Sequence, residues 1–421
     1  MVSKSLSDWL DYAERQHINA IALGLDRVRT VAAALGVRQT CPVILVGGTN
    51  GKGSTCAMLE AILRAAGYRV GLYTSPHLVR YTERIRIDGA EVSEAALCEA
   101  FAEIDSARAE TPLTYFEIGT LAAWQVFSKS SLDVIILEVG MGGRLDAVNV
   151  FEPDCSIVTG VAIDHADFLG STREQIGYEK AGIFRPARPA ICSDPNPPVS
   201  LVEHARLIGA DLRLIGRDFS YKGDRQQWSF VGRSTNRNSL AYPALRGANQ
   251  LLNASAVLAA LEALADRLPV SMQAVREGLL HVELTGRFQV LPGRPTVILD
   301  VAHNPQSIGV LAENISNLGY APETYAVVGM LSDKDVVGSI SLIARRVDHW
   351  LACSLPGPRG LSGDALAAKL REAGVSCDIE VCDGPTAGLN RAKERAQPDD
   401  RITVFGSFLT VSDVLQSLGR H

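Results

Sequence analysis

The sequence predicts an α/β fold with mainly parallel sheets, divided into a larger N-terminal domain and a smaller C-terminal one. Three observations point there. Short apolar runs alternate with amphipathic helical stretches along most of the chain, as buried strands joined by crossover helices do. At 421 residues the chain exceeds what one core ordinarily supports. The alternation breaks at "LTGRFQVLPGRP", whose Gly and Pro residues mark a joint, and then resumes. The expected domains are therefore residues 1–286 and 287–421.

Element by element, "CPVILVGG", "RVGLYTS", "LDVIILEVG" and "CSIVTGVAI" read as strands, being aliphatic, β-branched and short. After the first of them, "STCAMLEAILRAAG" sets Met58, Leu59, Ile62, Leu63 and Ala66 on one helical face, and Gly67 stops the helix. The polar and aromatic stretch "DFSYKGDRQQWSFVGRS" suggests hairpins, and "NASAVLAALEALADRL" a helix rich in Ala and Leu. Beyond the joint, "TVILDVAHNP", "TYAVVGML", "HWLACSLPG" and "RITVFGSF" supply the second set of strands.

Bulk properties narrow the function. Apolar residues at 47% and charged residues at 21% describe an ordinary globular chain. A net charge of −6 without a basic block gives no reason to expect nucleic acid as a partner. Eight cysteines without a C-x-x-C pair argue against zinc and fit free thiols in a reducing compartment. The opening "MVSKSLSDWLDYAERQH" has helical spacing rather than a signal peptide's apolar core, and no stretch is long enough to span a bilayer. A cytoplasmic location without membrane attachment is the expectation.

Ligands of open α/β sheets gather beyond the carboxyl ends of the strands. Four such exits carry polar groups suited to phosphate chemistry. "GGTNGKGS" has glycines that let backbone N–H groups face phosphate oxygens, and Lys52 as a point charge at a helix start. Ser54 or Thr55 adds a hydroxyl. The run "DVIILEVGMGGRLDAVN" ends a strand in Glu138, placed as a carboxylate for magnesium, with Arg144 and Asp146 in the following loop. "IVTGVAIDHADFLG" brings Asp164 and His165 to a third exit, and "YTSPHLVRYTERIR" brings Ser75 to a fourth. Around the joint lie Asn253 at a helix start, Arg287 on the linker, and Asp300 and His303 in "LDVAHNP". Taken singly, each has an ordinary structural reading: a turn-forming serine, a strand-end acid, a packed histidine, a surface-paired arginine or an N-cap.

The spelling of the loop, with Gly53 where a standard P-loop has Ser or Thr, does not stand alone. "GTNGKGS", "YTSPHLVRYTERIRI", "LTYFEIGTLAA", "ILEVGMGGRLDAVN", "DHADFLG", "EKAGIF", "LTGRFQV", "VILDVAHNP", "GMLSDKD" and "VFGSF" occur in that order. The series resembles the folylpolyglutamate synthase branch of the Mur-type amide ligases over almost the whole chain. The resemblance implies a P-loop Mur-ligase-type ATPase domain followed by a Rossmann-like domain. It implies ATP-dependent addition of L-glutamate to dihydropteroate or to reduced folates, by a monomer.

It also assigns roles. Thr49, Asn50, Gly51, Lys52, Gly53 and Ser54, with Asn253, Arg287 and Asp300, match ATP-binding positions. Ser75, Glu138 and His165 match ligands of Mg2+; a second divalent ion and K+ are further candidates. Lys180 matches a lysine carbamylated by carbon dioxide, although by itself it reads as a surface lysine. His303 and Ser407 match positions near the incoming glutamate, where His303 or Asp300 would assist loss of the amine proton. The pteroate pocket is implied at Gly24, Leu25, Asp26 and Arg27, at Thr114, Tyr115, Phe116 and Glu117, and at Arg144, Leu145 and Asp146.

Two other readings stay open. A nucleotide-driven binding or switch protein would use the same cleft and joint, and a synthase restricted to folylpolyglutamates would use the same residues. A cell-wall amino-acid ligase is a third, against which the lack of room for an N-terminal sugar-nucleotide domain weighs.

Overall fold

The structure, a computed structural model, describes residues 4–19, 21–224 and 226–419. Met1–Ser3 of the N-terminal helical stretch and Arg225 of the hairpin segment lie outside these. The chain forms two compact units. The first runs to His77 and takes in Tyr81–Ala244 and Leu251–Val282; the second comprises Leu78–Arg80, Leu245–Gln250 and the chain from Glu283 onward.

The first unit is built on an eight-stranded sheet. Its order is Ala90–Glu91, Ile85–Ile87, Val70–Tyr73, Val134–Glu138, Val43–Gly47, Cys155–Val158, Pro189–Cys192 and Asp211–Leu214. The last six strands are parallel, and the first two fold back antiparallel at one edge. The central strands Val43–Gly47 and Val134–Glu138 are buried at every position, as a sheet covered on both faces requires. The antiparallel edge turns at Asp88 and Gly89, with φ of 51° and 78°. Two successive positive φ values suit the twist of a two-residue hairpin, and Asp-Gly is the pair that tolerates them.

The helix after the first strand spans Lys52–Ala65, with Gly67 at φ 89° just beyond its end. Helix Met272–His281 packs on it so closely that a Cβ at Gly278 would stand 2.5 Å from the Cα of Ile62. Helix Gln250–Ala263 is buried continuously from Asn253 to Leu261, which explains its composition: a helix enclosed on all sides has no polar face. The expected hairpins form a three-stranded antiparallel sheet of Ser220–Gly223, Trp228–Val231 and Asn236–Leu240.

The second unit carries a six-stranded sheet in the order Gln289–Leu291, Thr296–Leu299, Arg401–Phe405, Thr324–Val328, His349–Cys353 and Ile379–Cys382. All neighbours are parallel except the first pair. Part of "LTGRFQVLPGRP" is thus not an open linker. Its Gln289–Leu291 segment pairs antiparallel with Thr296–Leu299 and closes one edge of the sheet. Among the described residues no helix is long and apolar enough to cross a membrane.

Candidate active site

The four strand exits singled out from sequence belong to four adjacent strands. Val70–Tyr73, Val134–Glu138, Val43–Gly47 and Cys155–Val158 are consecutive, parallel neighbours. Ser75, Glu138, the Gly48–Ser54 loop and the Thr159–His165 segment therefore follow the carboxyl edge of one continuous sheet.

The phosphate loop is shaped by its neighbours. Gly48 has φ of 140°, and a Cβ there would collide with the side chain of Thr159. The Thr159 hydroxyl donates to the Asn50 carbonyl at 2.7 Å. Thr49 donates its hydroxyl to the Ala162 carbonyl and accepts from the Ala162 N–H, both at 3.0 Å. These bonds pin the loop to the next strand's exit. Gly51, with φ of 94°, precedes the helix, and a Cβ on it would stand 2.5 Å from Oδ1 of Asn253. Asn253, buried in the first unit, thus lies directly against the loop that it was expected to complement. Lys52 folds over the loop, its Nζ donating to the carbonyls of Gly48 at 3.1 Å and Thr49 at 3.2 Å. Of the two hydroxyls after Lys52, Ser54 is buried in the first helical turn, and Thr55 Oγ1 is buried without a hydrogen-bond partner.

Glu138 ends its strand almost fully buried, and its Oε2 accepts the Ser75 N–H at 3.0 Å. His165 adopts a left-handed conformation, φ 52° and ψ 43°, with its N–H donated to Asp164 Oδ1 at 2.9 Å. Among the described residues no three His, Cys, Asp or Glu side chains form a metal cluster. The expected set of one carboxylate, one imidazole and one hydroxyl is not of that kind. Such a set would supply part of a hard-ion shell, to be completed by phosphate and water oxygens, and the buried Glu138 on the strand next to the phosphate loop fits a magnesium ion held that way.

Lys180 corrects the sequence reading. It is 3% exposed, not a surface lysine. Helix Arg173–Ala181 buries Ile176, Gly177, Lys180 and Ala181, a spacing that puts the lysine on the inward face. Burial foremost, and then the charge of Lys52, push its amine down to about 7, against the pull of Asp164 and Asp146. An amine so placed is substantially neutral near neutral pH and nucleophilic toward carbon dioxide.

The three segments expected to surround the pteroate group converge. The Gly24 N–H donates to the Leu145 carbonyl at 3.2 Å, joining "GLDR" to the Arg144–Asp146 loop. Arg27 meets Glu117 with Nη2–Oε1 at 2.8 Å. Thr114 and Glu117 form a reciprocal capping box at the start of helix Tyr115–Ser128. Phe116 lies against Gly140, where a Cβ would come within 2.6 Å of the ring. Arg144 pairs with Glu179 at 2.8 Å. Asp146 is buried and accepts from the N–H groups of Met141 at 2.8 Å and Val148 at 3.1 Å. Burial pushes its carboxyl up to about 7 in spite of those donors. Glu117 and Asp146 spend hydrogen bonds on the protein, whereas Asp26 is exposed.

In the second unit, Asp300 and Ser407 follow two neighbouring strands, Thr296–Leu299 and Arg401–Phe405. Asp300 accepts the Phe288 N–H at 2.9 Å and the Ala302 N–H at 2.8 Å, and desolvation raises its carboxyl pKa, opposed first by Arg287. His303 Nδ1 lies 2.8 Å from the Val301 carbonyl. Ser407 caps helix Phe408–Ser417 and accepts the Thr410 N–H at 3.0 Å. Phe408, not singled out from sequence, organises the group. The Arg287 guanidinium stands 5.0 Å from its ring centre and the His303 ring 6.3 Å away. Thr159 was also missed; a hydroxyl among apolar strand residues just before a glycine was its only signal.

Comparison with known proteins places these features in a family. Residues 46–261 match the Mur ligase middle domain, and residues 286–408 match the Mur ligase glutamate ligase domain. The chain is 44% identical to the dihydrofolate synthase/folylpolyglutamate synthase of Escherichia coli, over 98% of this chain and 95% of that one. It is 31% identical to the folylpolyglutamate synthase of Lacticaseibacillus casei, with 93% and 94% covered. Among solved structures, E. coli FolC in complex with DHPP and ADP superposes with a TM-score of 0.95 at 43% identity, covering 99% of this chain and 98% of that one. A bifunctional folylpolyglutamate synthase/dihydrofolate synthase with Mn, AMPPNP and L-glutamate bound gives 0.91 at 42% identity, with 99% and 98% covered. The chain belongs to the Mur ligase family, in its dihydrofolate synthase/folylpolyglutamate synthase branch.

Proposed function

We propose that this chain is an ATP-dependent ligase that joins L-glutamate to 7,8-dihydropteroate, giving dihydrofolate, and to reduced folylpolyglutamates, extending their tails. The observation that carries this is the alignment along one sheet edge of a glycine-shaped phosphate loop with Lys52 and the buried Glu138 carboxylate tied to Ser75, together with the buried Lys180, whose amine feels the charge of Lys52.

A carboxylate is a poor acyl donor because oxide is a poor leaving group. Transfer of the γ-phosphoryl group to it gives an acyl phosphate, which the amine of glutamate attacks; the tetrahedral intermediate then expels phosphate. The first step needs alignment and charge neutralisation more than covalent help. The loop amides and Lys52 face the triphosphate, and Asn253 keeps the loop in shape. Ser75, Glu138 and His165 would hold magnesium, and Lys180, once carbamylated, would be a further oxygen donor for a second ion; the bound metal would supply positive charge during phosphoryl transfer. Arg27, Glu117, Phe116 and Asp146 fix the walls against which the pteroate group is oriented. In the second unit, Arg287 and Asp300 serve ATP, and Ser407 and His303 serve glutamate. His303 Nδ1 donates to the Val301 carbonyl, which orients the ring, and Nε2 is the nitrogen that would take the amine proton. Residues 1–286 thus carry the phosphate loop and the pterin acid site, and 287–421 the glutamate-ligase part, with Arg287 and Asp300 contributing to ATP.

The protein works as a cytoplasmic monomer without nucleic-acid or membrane partners, in keeping with its net charge of −6. The test is direct. Purified chain is given ATP, Mg2+ and L-glutamate, with dihydropteroate or a tetrahydrofolate, and phosphate and products are followed by mass. Both acceptors should gain glutamate. Turnover indifferent to acceptor and amino acid would instead identify a nucleotide switch, and gain on the tetrahydrofolate alone a monofunctional synthase.

A further inference from the structure

Two cysteines of the second unit face each other where the ligation chemistry has no use for them. Strands His349–Cys353 and Ile379–Cys382 run parallel, and their final residues, Cys353 and Cys382, are register partners. Partners on neighbouring strands are about 4.8 Å apart and present their side chains to the same face of the sheet. That separation falls within the roughly 4.4–6.8 Å between Cα atoms that a disulfide bridges. The Cys353 Sγ also donates to the Leu351 carbonyl at 3.4 Å. Among the described residues no other two cysteines are register partners: Cys155 and Cys192, the other two in strands, pair with Ile44 and with Val158 and Leu214.

The surroundings give the two sulfurs different parts. Cys353 is fully enclosed, and its Sγ lies against Gly388, where a Cβ would approach to 2.6 Å. That glycine, on helix Pro385–Arg395, leaves space for the sulfur. Cys382 ends the outermost strand, 8% exposed, between the exposed Val381 and Asp383. It is the sulfur that a small solute reaches first. The neighbouring Cys353 thiol favours the thiolate at Cys382, while Cys382 and then burial keep the proton on Cys353.

We propose that Cys353 and Cys382 are a peroxide-responsive dithiol that closes to a disulfide and ties the edge strand of the second sheet to its neighbour. The Cys382 thiolate attacks one oxygen of hydrogen peroxide, the O–O bond breaks, and hydroxide leaves with the proton released by that thiol, as water. The resulting sulfenic acid is attacked by the Cys353 sulfur. The S–S bond forms as the S–O bond breaks, and the hydroxyl departs with the Cys353 proton as a second water. Two thiols and one peroxide thus yield one disulfide and two waters, with two electrons passing from sulfur to oxygen.

The test uses the full chain. It is exposed to hydrogen peroxide, the remaining thiols are alkylated, and peptides are mapped without reduction. Two of the eight thiols should be lost, in one cross-linked peptide pairing Cys353 with Cys382, and dithiothreitol should restore both. In Cys353→Ser the cross-link should be replaced by a sulfenic acid at Cys382 that dimedone traps. Survival of all eight thiols in the wild-type chain, loss spread over other cysteines, or sulfinic acid at Cys382 without a cross-link would overturn the proposal; these readings need no variant.

Discussion

Arg27 and Glu117, ninety positions apart, form an ion pair in which both Nε and Nη2 approach the carboxylate, Nη2 to 2.8 Å and Nε to 3.2 Å from Oε1. Glu117 also accepts the Thr114 N–H at 2.7 Å, so one carboxylate holds a helix start and the "GLDR" segment together. Removing the arginine leaves a buried anion half satisfied. Arg27→Ala should destabilise the first unit by about 2 kcal/mol, below the cost for a fully buried pair because Arg27 is partly exposed. Urea unfolding measures this. The KM for dihydropteroate should rise more than that for ATP.

Lys52 tests the phosphate loop. Lys52→Ala removes the loop's ammonium from the surface of a helix start, so the fold should persist with an unchanged circular dichroism spectrum. Ligation should fall by about three orders of magnitude, the scale of losing a preorganised charge at a phosphoryl-transfer site. Gly51→Ala should also impair ATP use, since its Cβ meets Asn253 at 2.5 Å and its φ is 94°. Adding Asn253→Ala should not rescue it, because the backbone cost of about 1–2 kcal/mol remains.

The buried Lys180 makes stability depend on pH in a defined direction. Its amine titrates at about 7 in the folded chain, against an ordinary value of 10.5. Between those values the unfolded chain binds more protons, so stability rises with pH across that window. Below about pH 7 the penalty of burying the charge is fully present. Wild type should therefore gain stability relative to Lys180→Met as pH is raised from 7 to 10, read by urea unfolding in carbon dioxide-free buffer. Adding bicarbonate should convert the lysine to its carbamate, and activity of the wild type, but not of the variant, should respond.

Phe408 is the platform for Arg287 at 5.0 Å. A cation held over an aromatic ring is worth about 0.5–2 kcal/mol. Phe408→Ala should thus weaken ATP use by up to roughly thirtyfold in kcat/KM, with Phe408→Tyr retaining most of it. Steady-state kinetics at saturating glutamate distinguish the two.

Much of the site was written in short stretches of sequence, because its parts are local. A glycine-rich turn between an apolar strand and an amphipathic helix is encoded by adjacent residues, and so is a strand that ends in Glu138. Some local signals went unread. Asp88-Gly89 between "IRI" and "AEV" spells the edge hairpin, and Thr114 with Glu117 spells a capping box. The helical period of "IGYEKA" sets Lys180 on the same inward face as Ile176 and Gly177.

By itself the sequence determined which segments become strands and helices, where the phosphate loop sits and which residue types stand at each strand exit, since propensity, periodicity and turn chemistry act over a few residues. Only the tertiary structure decided that the four exits are neighbours, that Arg27 finds Glu117, that Asn253 presses on Gly51 and that Lys180 loses its water. Strand order and desolvation arise from contacts between segments far apart in the chain, and a local pattern carries no record of which distant segment will cover it.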